Sequence, residues 1–292
     1  MIAGVDDIAA GFERLGYIPD QSLATTVFLL LKLGKPVLIE GPAGVGKTES
    51  AKVLSQLLGT ELIRLQCYEG LDASSALYEW NYQKQLLAIK IHDSSDESVD
   101  EKERHIFGPD FLLQRPLLRS ITAEHASPVL LIDEIDRADE PFEAFLLELL
   151  SDFQITIPEM GTVKAKHIPH VILTSNRTRE LSDALKRRCL YHWIGYPTVE
   201  KEIKIVQARL PGITESLNAQ VVRFVQTIRR KRLSKIPGIV ETLDCAAALV
   251  SLGKDTLDVE SAEQTLGCIV KTVEDLDKLK SEGIDAILAE AL

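Results

Sequence analysis

The sequence lacks most of what an exported, membrane-spanning or nucleic-acid-coating protein needs. Its four cysteines, Cys67, Cys189, Cys245 and Cys268, are scattered with no CxxC pair. That excludes a zinc ribbon or a disulfide framework and fits reduced thiols in a cytoplasmic protein. The longest apolar stretch, Ala24–Leu31, ends at Lys32 and is too short to span a bilayer. No basic segment leading into an apolar core stands at the start, so no secretory signal is expected. Positive charge is in deficit: 33 Lys and Arg stand against 44 Asp and Glu, giving a net charge of −11 and an isoelectric point near 5.1. Such a surface repels phosphate backbones and anionic lipid, so neither nucleic acid nor membrane is expected as a partner. Internal repeats are absent too.

What is present suits a soluble globular chain: 292 residues, 45% hydrophobic and 26% charged, enough for one large domain and a smaller one. Short apolar runs predict strands at Pro36–Glu40, Glu61–Gln66, Val129–Asp133, Val171–Ser175 and Leu190–Ile194. Several are apolar at consecutive positions, as strands covered on both faces must be. Helical patterns at Gln21–Leu33, Glu49–Leu58, Pro141–Asp152 and Ser182–Arg188 separate them. Strand–helix alternation of this kind predicts an α/β domain with a parallel sheet. After Tyr196-Pro197 the strands stop. Thr198 can cap a helix carrying Val199, Ile203, Val206 and Leu210, and the pattern stays helical to the end. The expected division is therefore residues 1–197 and a small all-α domain over 198–292. Two charged stretches, acidic His92–Glu103 and basic Arg229–Lys235, read as a solvated loop and a solvated helix end.

The strongest motif is Gly41, Pro42, Ala43, Gly44, Val45, Gly46, Lys47, Thr48, a match to GxxxxGK[ST] between a predicted strand and a predicted helix. Glycines let backbone N–H groups turn in around phosphates, and the helix N-terminus adds positive potential. Lys47 is expected on the β- and γ-phosphates of ATP, and the Thr48 hydroxyl on Mg²⁺. The run Val129–Asp133 followed by Glu134 supplies the second half. Asp133 is expected to hold Mg²⁺ through water, and Glu134 to polarise the attacking water. Asn176 ends the fourth strand, where an amide can orient the same water or simply close a turn. Arg187 and Arg188 follow a short helix, either as a surface pair or as cations for a neighbouring subunit's nucleotide.

Together these residues resemble the AAA+ ATPases, and most of all the MoxR family, within it the subgroup of the CO dehydrogenase maturation ATPase CoxD. The likeness covers nearly the whole chain. It rests on Leu65–Asp72 (LQCYEGLD), Leu77–Gln85 (LYEWNYQKQ), Phe111–Leu118 (FLLQRPLL), Asp133–Phe153 (DEIDRADEPFEAFLLELLSDF) and Ala184–Trp193 (ALKRRCLYHW). The resemblance implies an AAA+ P-loop core with sheet order 5-1-4-3-2, a helical lid, and a hexameric ring with ATP between subunits. It implies a sensor-1 role for Asn176 and an arginine finger at Arg188, with Arg187 a second cation. It also implies a client-facing hairpin at Gln154–Lys166, a partner with a von Willebrand factor A domain, and a metalloenzyme client. For the CoxD-like subgroup that client is a molybdenum hydroxylase. One departure stands out: where many such lids carry a sensor-2 arginine, this chain has Glu241, in Pro237–Thr242. Two other classes compete with the remodelling chaperone: a nucleic-acid-linked ring motor, which stimulation by DNA would reveal, and a small-molecule P-loop kinase, which a phosphorylated acceptor would reveal. A nucleotide-gated scaffold without hydrolysis fits poorly with an intact Asp133-Glu134.

Overall fold

The computed structural model describes residues 2–92 and 105–292; the acidic stretch, apart from His92, lies outside them. The chain divides into two compact units, one formed by Met1–Ala24, Gly41–Ser50 and Trp193–Leu292, the other by Thr25–Glu40 and Ala51–His192.

The second unit is built on a five-stranded parallel sheet. Its strands are β1 (Val37–Glu40), β2 (Leu62–Gln66), β3 (Val129–Asp133), β4 (His170–Ser175) and β5 (Leu190–Trp193), in the order β2-β3-β4-β1-β5. This is the expected 5-1-4-3-2 arrangement read from the opposite edge. Every residue of β1 and β3 is buried, which explains their unbroken apolar runs: both faces of these inner strands are covered. Leu38, Leu130, Ile132 and Leu173 join Leu117, Leu118, Leu146 and Leu149 in one core. Burying each such side chain stabilises by roughly 1.5–3 kcal/mol. The register pairs Gln66 with Asp133 and Glu40 with Ser175. The carboxyl ends of parallel strands share one edge, so the polar residues ending these apolar strands line up there.

Two short antiparallel pairs sit outside the sheet. One joins Gln154–Ile157 to Gly161–Lys164, the expected hairpin. The other joins Tyr78–Trp80 to Leu112–Gln114, and the segment between its strands includes the helix Tyr82–His92. Neither of these three-residue strands was legible, because they carry no alternating pattern long enough to read.

The first unit is helical after residue 197. Val199–Arg209, Glu215–Arg230, Val259–Ile269 and Val273–Glu282 start at Thr198, Thr214, Asp258 and Thr272, whose side chains each accept a backbone N–H three residues on. Val221, Phe224, Val225, Cys245, Leu249 and Leu266 form its core. Within the basic run Arg229 departs furthest from the solvated expectation: its side chain is only 5% exposed and pairs with the fully buried Glu202, while Lys231 is partly covered and pairs with Glu282 and Glu290. Among the described residues no helix is long and apolar enough to cross a membrane.

Candidate active site

The predicted site residues fall in two groups, one on each unit. In the first unit, Gly41 follows Glu40, the last residue of β1, and the loop runs to Gly46 before the helix Lys47–Leu58 begins. Gly44 and Gly46 have φ of +74° and +93°, a region that L side chains occupy only with strain. Gly41 is needed for space as well: a Cβ there would meet the carbonyl oxygen of Ile194 at 2.0 Å. The Lys47 ammonium is folded over its own loop and donates to the carbonyls of Gly41 and Pro42 at 2.8 and 2.6 Å. Thr48 follows on the first helical turn.

Beside this loop lies an apolar cleft with a cavity volume of about 150 Å³, lined by Tyr17, Ile18, Val45, Ile194, Ile239 and Leu243 among others. Burial, with lesser contributions from Asp20 and Glu49, pushes the Tyr17 hydroxyl well above its usual range, so it stays neutral. Sequence reasoning missed this cleft. Gly16–Ile18 carry no motif, and their only signal is a turn after the helix Val5–Arg14.

In the second unit, Asp133 and Glu134 sit at the carboxyl end of β3. Asp133 is 2% exposed. Its Oδ1 accepts from the Thr174 hydroxyl at 2.6 Å, and its Oδ2 accepts from Arg64 Nη2 and Nε at 2.5 and 3.0 Å. The Glu134 backbone is left-handed, with φ 56° and ψ 50°, and its N–H donates to Thr174 Oγ1 at 3.0 Å. One threonine therefore fixes both acids. The Glu134 carboxylate accepts from Asn176 Nδ2 at 3.2 Å, from Gln66 Nε2 at 3.1 Å and from Arg137 Nη1 at 3.2 Å. The loop bearing Asn176 is tied down in turn by Asp136, which accepts from the N–H groups of Asn176 and Thr178 and from the Thr178 hydroxyl. Arg64 also donates to Gln66, so a continuous polar chain links Asp133 to Glu134.

The structure brings Asp133, Glu134 and Asn176 together and adds Arg64, Gln66, Arg137, Thr174 and Asp136, which sequence reasoning passed over. Arg64 and Gln66 do alternate along β2 with the buried Ile63 and Leu65, so a polar row was visible in the sequence. Its direction toward Asp133 was not. Arg187 and Arg188 stand apart, exposed on the last turn of Asp183–Arg188, and Arg188 Nε donates to Ser151 Oγ at 2.8 Å. Glu241 turns back on its own helix, accepting the Gly238 N–H at 2.8 Å as a capping residue.

A glycine-turned loop opening a helix offers N–H groups and a cation to a polyanion. A glutamate held by two amides and a guanidinium is fixed well enough to take a proton from a bound water. Thr48 in the first unit and Asp133 in the second each carry a hard oxygen of the kind Mg²⁺ takes, an ion commonly held by one or two carboxylates with water and phosphate completing its shell.

The family model for the AAA domain of the dynein-related subfamily matches residues 36–189, more than half of the chain. The chain belongs to this AAA family. Relatives of this AAA protein include an uncharacterized protein of Staphylococcus haemolyticus, 27% identical over 90% of this chain and 91% of that one. Another is an uncharacterized protein of Staphylococcus aureus, 28% identical over 90% of this chain and 91% of its own length. Among solved structures, a variant of Thermotoga maritima RuvB matches 92% of this chain and 79% of its own, with 18% identity and a TM-score of 0.51. At that identity the likeness is one of fold, and it extends the AAA+ architecture beyond the matched domain.

Proposed function

We propose that this AAA protein is an ATPase of the MoxR type that couples ATP hydrolysis to the remodelling of a client protein. The observation that carries the reading is the anchoring of Glu134 by Asn176, Gln66 and Arg137 next to an Asp133 fixed by Thr174. A structural carboxylate at a strand end needs no such array.

In this reading the loop Gly41–Thr48 binds the triphosphate with Lys47 as its counter-charge, and the apolar cleft at Tyr17 and Ile239 receives the base. Mg²⁺ would be held by Thr48 and, through water, by Asp133, and supplies charge neutralisation on the phosphates. Glu134 takes the proton of the attacking water, and Asn176 orients it. Arg188, with Arg187 beside it, serves the nucleotide of the next subunit in a ring, a hexamer by family resemblance. The boundary near residue 197 separates the AAA+ core from the lid. The resemblance further points to a cytoplasmic partner with a von Willebrand factor A domain and to a molybdenum- or copper-containing hydroxylase of the CO dehydrogenase type as client.

The test is a pull-down with Glu134→Gln, which should trap ATP-bound complexes with partner and client, beside a nucleotide titration of Lys47→Ala. Recovery of no partner in the presence of ATP would remove the remodelling role. Unchanged ATP affinity in Lys47→Ala would remove the site assignment. Turnover stimulated by DNA would favour a nucleic-acid-linked motor instead.

A further inference from the structure

The C-terminal helices carry no arginine where a phosphate-sensing cation is expected, yet their backbone touches the phosphate-binding loop. The N–H of Ile239 donates to the carbonyl of Gly44 at 2.9 Å. A Cβ on Gly238 would lie 2.9 Å from both the Cα and the carbonyl oxygen of Gly44, and 3.0 Å from the carbonyl oxygen of Ala43. These are main-chain atoms and cannot swing aside. Gly238 itself has φ −89°, a value open to any residue. What forbids a side chain at Gly238 is the neighbouring loop, and its own backbone would accept one.

The turn that presents Gly238 is held from behind. Arg229 Nε donates to the Pro237 carbonyl at 2.7 Å, and Nη2 to the Gly238 carbonyl at 3.0 Å. Nη1 and Nη2 grip Glu202 at 2.5 Å each. Thr242 and Gln226 donate to the same carboxylate at 2.5 and 2.7 Å. The Tyr196 ring lies 5.3 Å from the guanidinium. At the other end of the turn, Asp275 accepts from the N–H groups of Ser234 and Lys235 at 2.8 and 3.0 Å. Desolvating an ion pair is costly, and a buried pair of this kind is a poor source of stability. What it supplies is a fixed position for two carbonyls and the glycine between them and the loop.

We infer that the Pro237–Gly238 turn is a main-chain latch on the phosphate-binding loop, and that Gly238 and Arg229 are positioning residues for nucleotide binding. The latch takes the place of a sensor-2 side chain. It acts on the loop and not on the γ-phosphate, so it supports ATP and ADP alike. This rests on the nucleotide-binding reading above.

The experiment compares wild type, Gly238→Ala, Arg229→Lys and Gly267→Ala. A methyl group at Gly267 would meet no atom within 4 Å, so that variant serves as control. Fluorescent ATP and ADP analogues report affinity, steady-state turnover separates KM from kcat, and hydrogen exchange reports the Ile239 amide. Overpacking against backbone at Gly238 should weaken both nucleotides by about tenfold, raise KM in step and leave kcat at saturation within about twofold. Arg229→Lys keeps the charge but loses the fork, and should weaken both by about threefold. Gly267→Ala should match wild type. Ile239 exchange should accelerate in Gly238→Ala and Arg229→Lys alone. Affinity in Gly238→Ala equal to wild type overturns the latch, as does a loss confined to ATP. If Gly238→Ala fails to melt cooperatively, Arg229→Lys decides, and unchanged affinity there overturns it. A wild-type protein that binds neither nucleotide removes the nucleotide-binding reading. The latch is then judged by Ile239 exchange alone, where equal rates in wild type and Arg229→Lys overturn it.

Discussion

The Arg64 guanidinium lies 2.5 Å from Asp133, with Nε and Nη2 both on Oδ2. The other oxygen is taken by Thr174. A cation approaching Asp133 meets a carboxylate already neutralised, and Arg64, 49% exposed, must give way. Arg64→Ala should therefore lower the Mg²⁺ concentration for half-maximal ATP turnover. Two like charges at 4 Å repel by about 1–4 kcal/mol, and solvent at Arg64 favours the low end, so the shift should be severalfold. A Mg²⁺ titration at fixed ATP checks it. A higher Mg²⁺ requirement would mean that Arg64 orients Asp133 for the metal.

Glu134→Gln should bind ATP as wild type does and lose hydrolysis by about 10²–10⁴. The amide keeps the length of the side chain, its single oxygen can still accept from Gln66 and Arg137, which share one carboxylate oxygen, and Asp136 still holds the Asn176 backbone, so the loop should stay in place. Nucleotide titration and phosphate release on the same sample separate the two effects. Turnover near wild type at saturating ATP would assign the base elsewhere.

Much of this arrangement was legible because it follows the chain. Val129–Asp133 is uniformly apolar until its last residue, so its burial and the placing of Asp133 at a sheet edge could be read together. The loop at Gly41 announces itself by glycine spacing alone. The partners of Asp133 and Glu134 could not be read this way. Arg64, Thr174 and Gln66 are 69, 41 and 68 residues away from the acids they touch, and only the sheet register brings them together. Arg229 misled for the opposite reason. It sits in a run of cations that composition assigns to solvent, and nothing local shows that Glu202, 27 residues earlier, turns it inward.

Arg188→Ala should bind ATP normally and fail to hydrolyse it, with a loss of about 10³–10⁵ if it acts as a finger across a subunit boundary. Mixing it with Lys47→Ala should restore part of the activity, since some interfaces then pair an intact loop with an intact arginine. Ser151→Ala removes the hydroxyl that Arg188 Nε donates to and should give a milder loss that the same mixing rescues. A monomer as active as the assembly would exclude this role.

Burial pushes the thiols of Cys67 and Cys189 up to about 12 and that of Cys245 up to about 11. The protonated form is the one favoured in the fold. Its contribution to stability is complete below the ordinary thiol range and lost as pH rises from there through the folded values. At pH 8 these three thiols should resist a maleimide in the native protein and react once the chain is unfolded in urea. Mass-spectrometric counting of adducts measures this; rapid native labelling of Cys67 would show that its pocket opens.

Glu134 occupies a left-handed backbone position. For an L residue this conformation costs roughly 1–2 kcal/mol relative to glycine. A sequence selected for folding alone would place Gly or Asn there, and Glu134→Gly should raise the melting temperature while ending turnover. The residue is thus a point at which thermal robustness and chemistry pull in opposite directions. Attempts to harden this protein by substituting its strained positions would silence it first at Glu134.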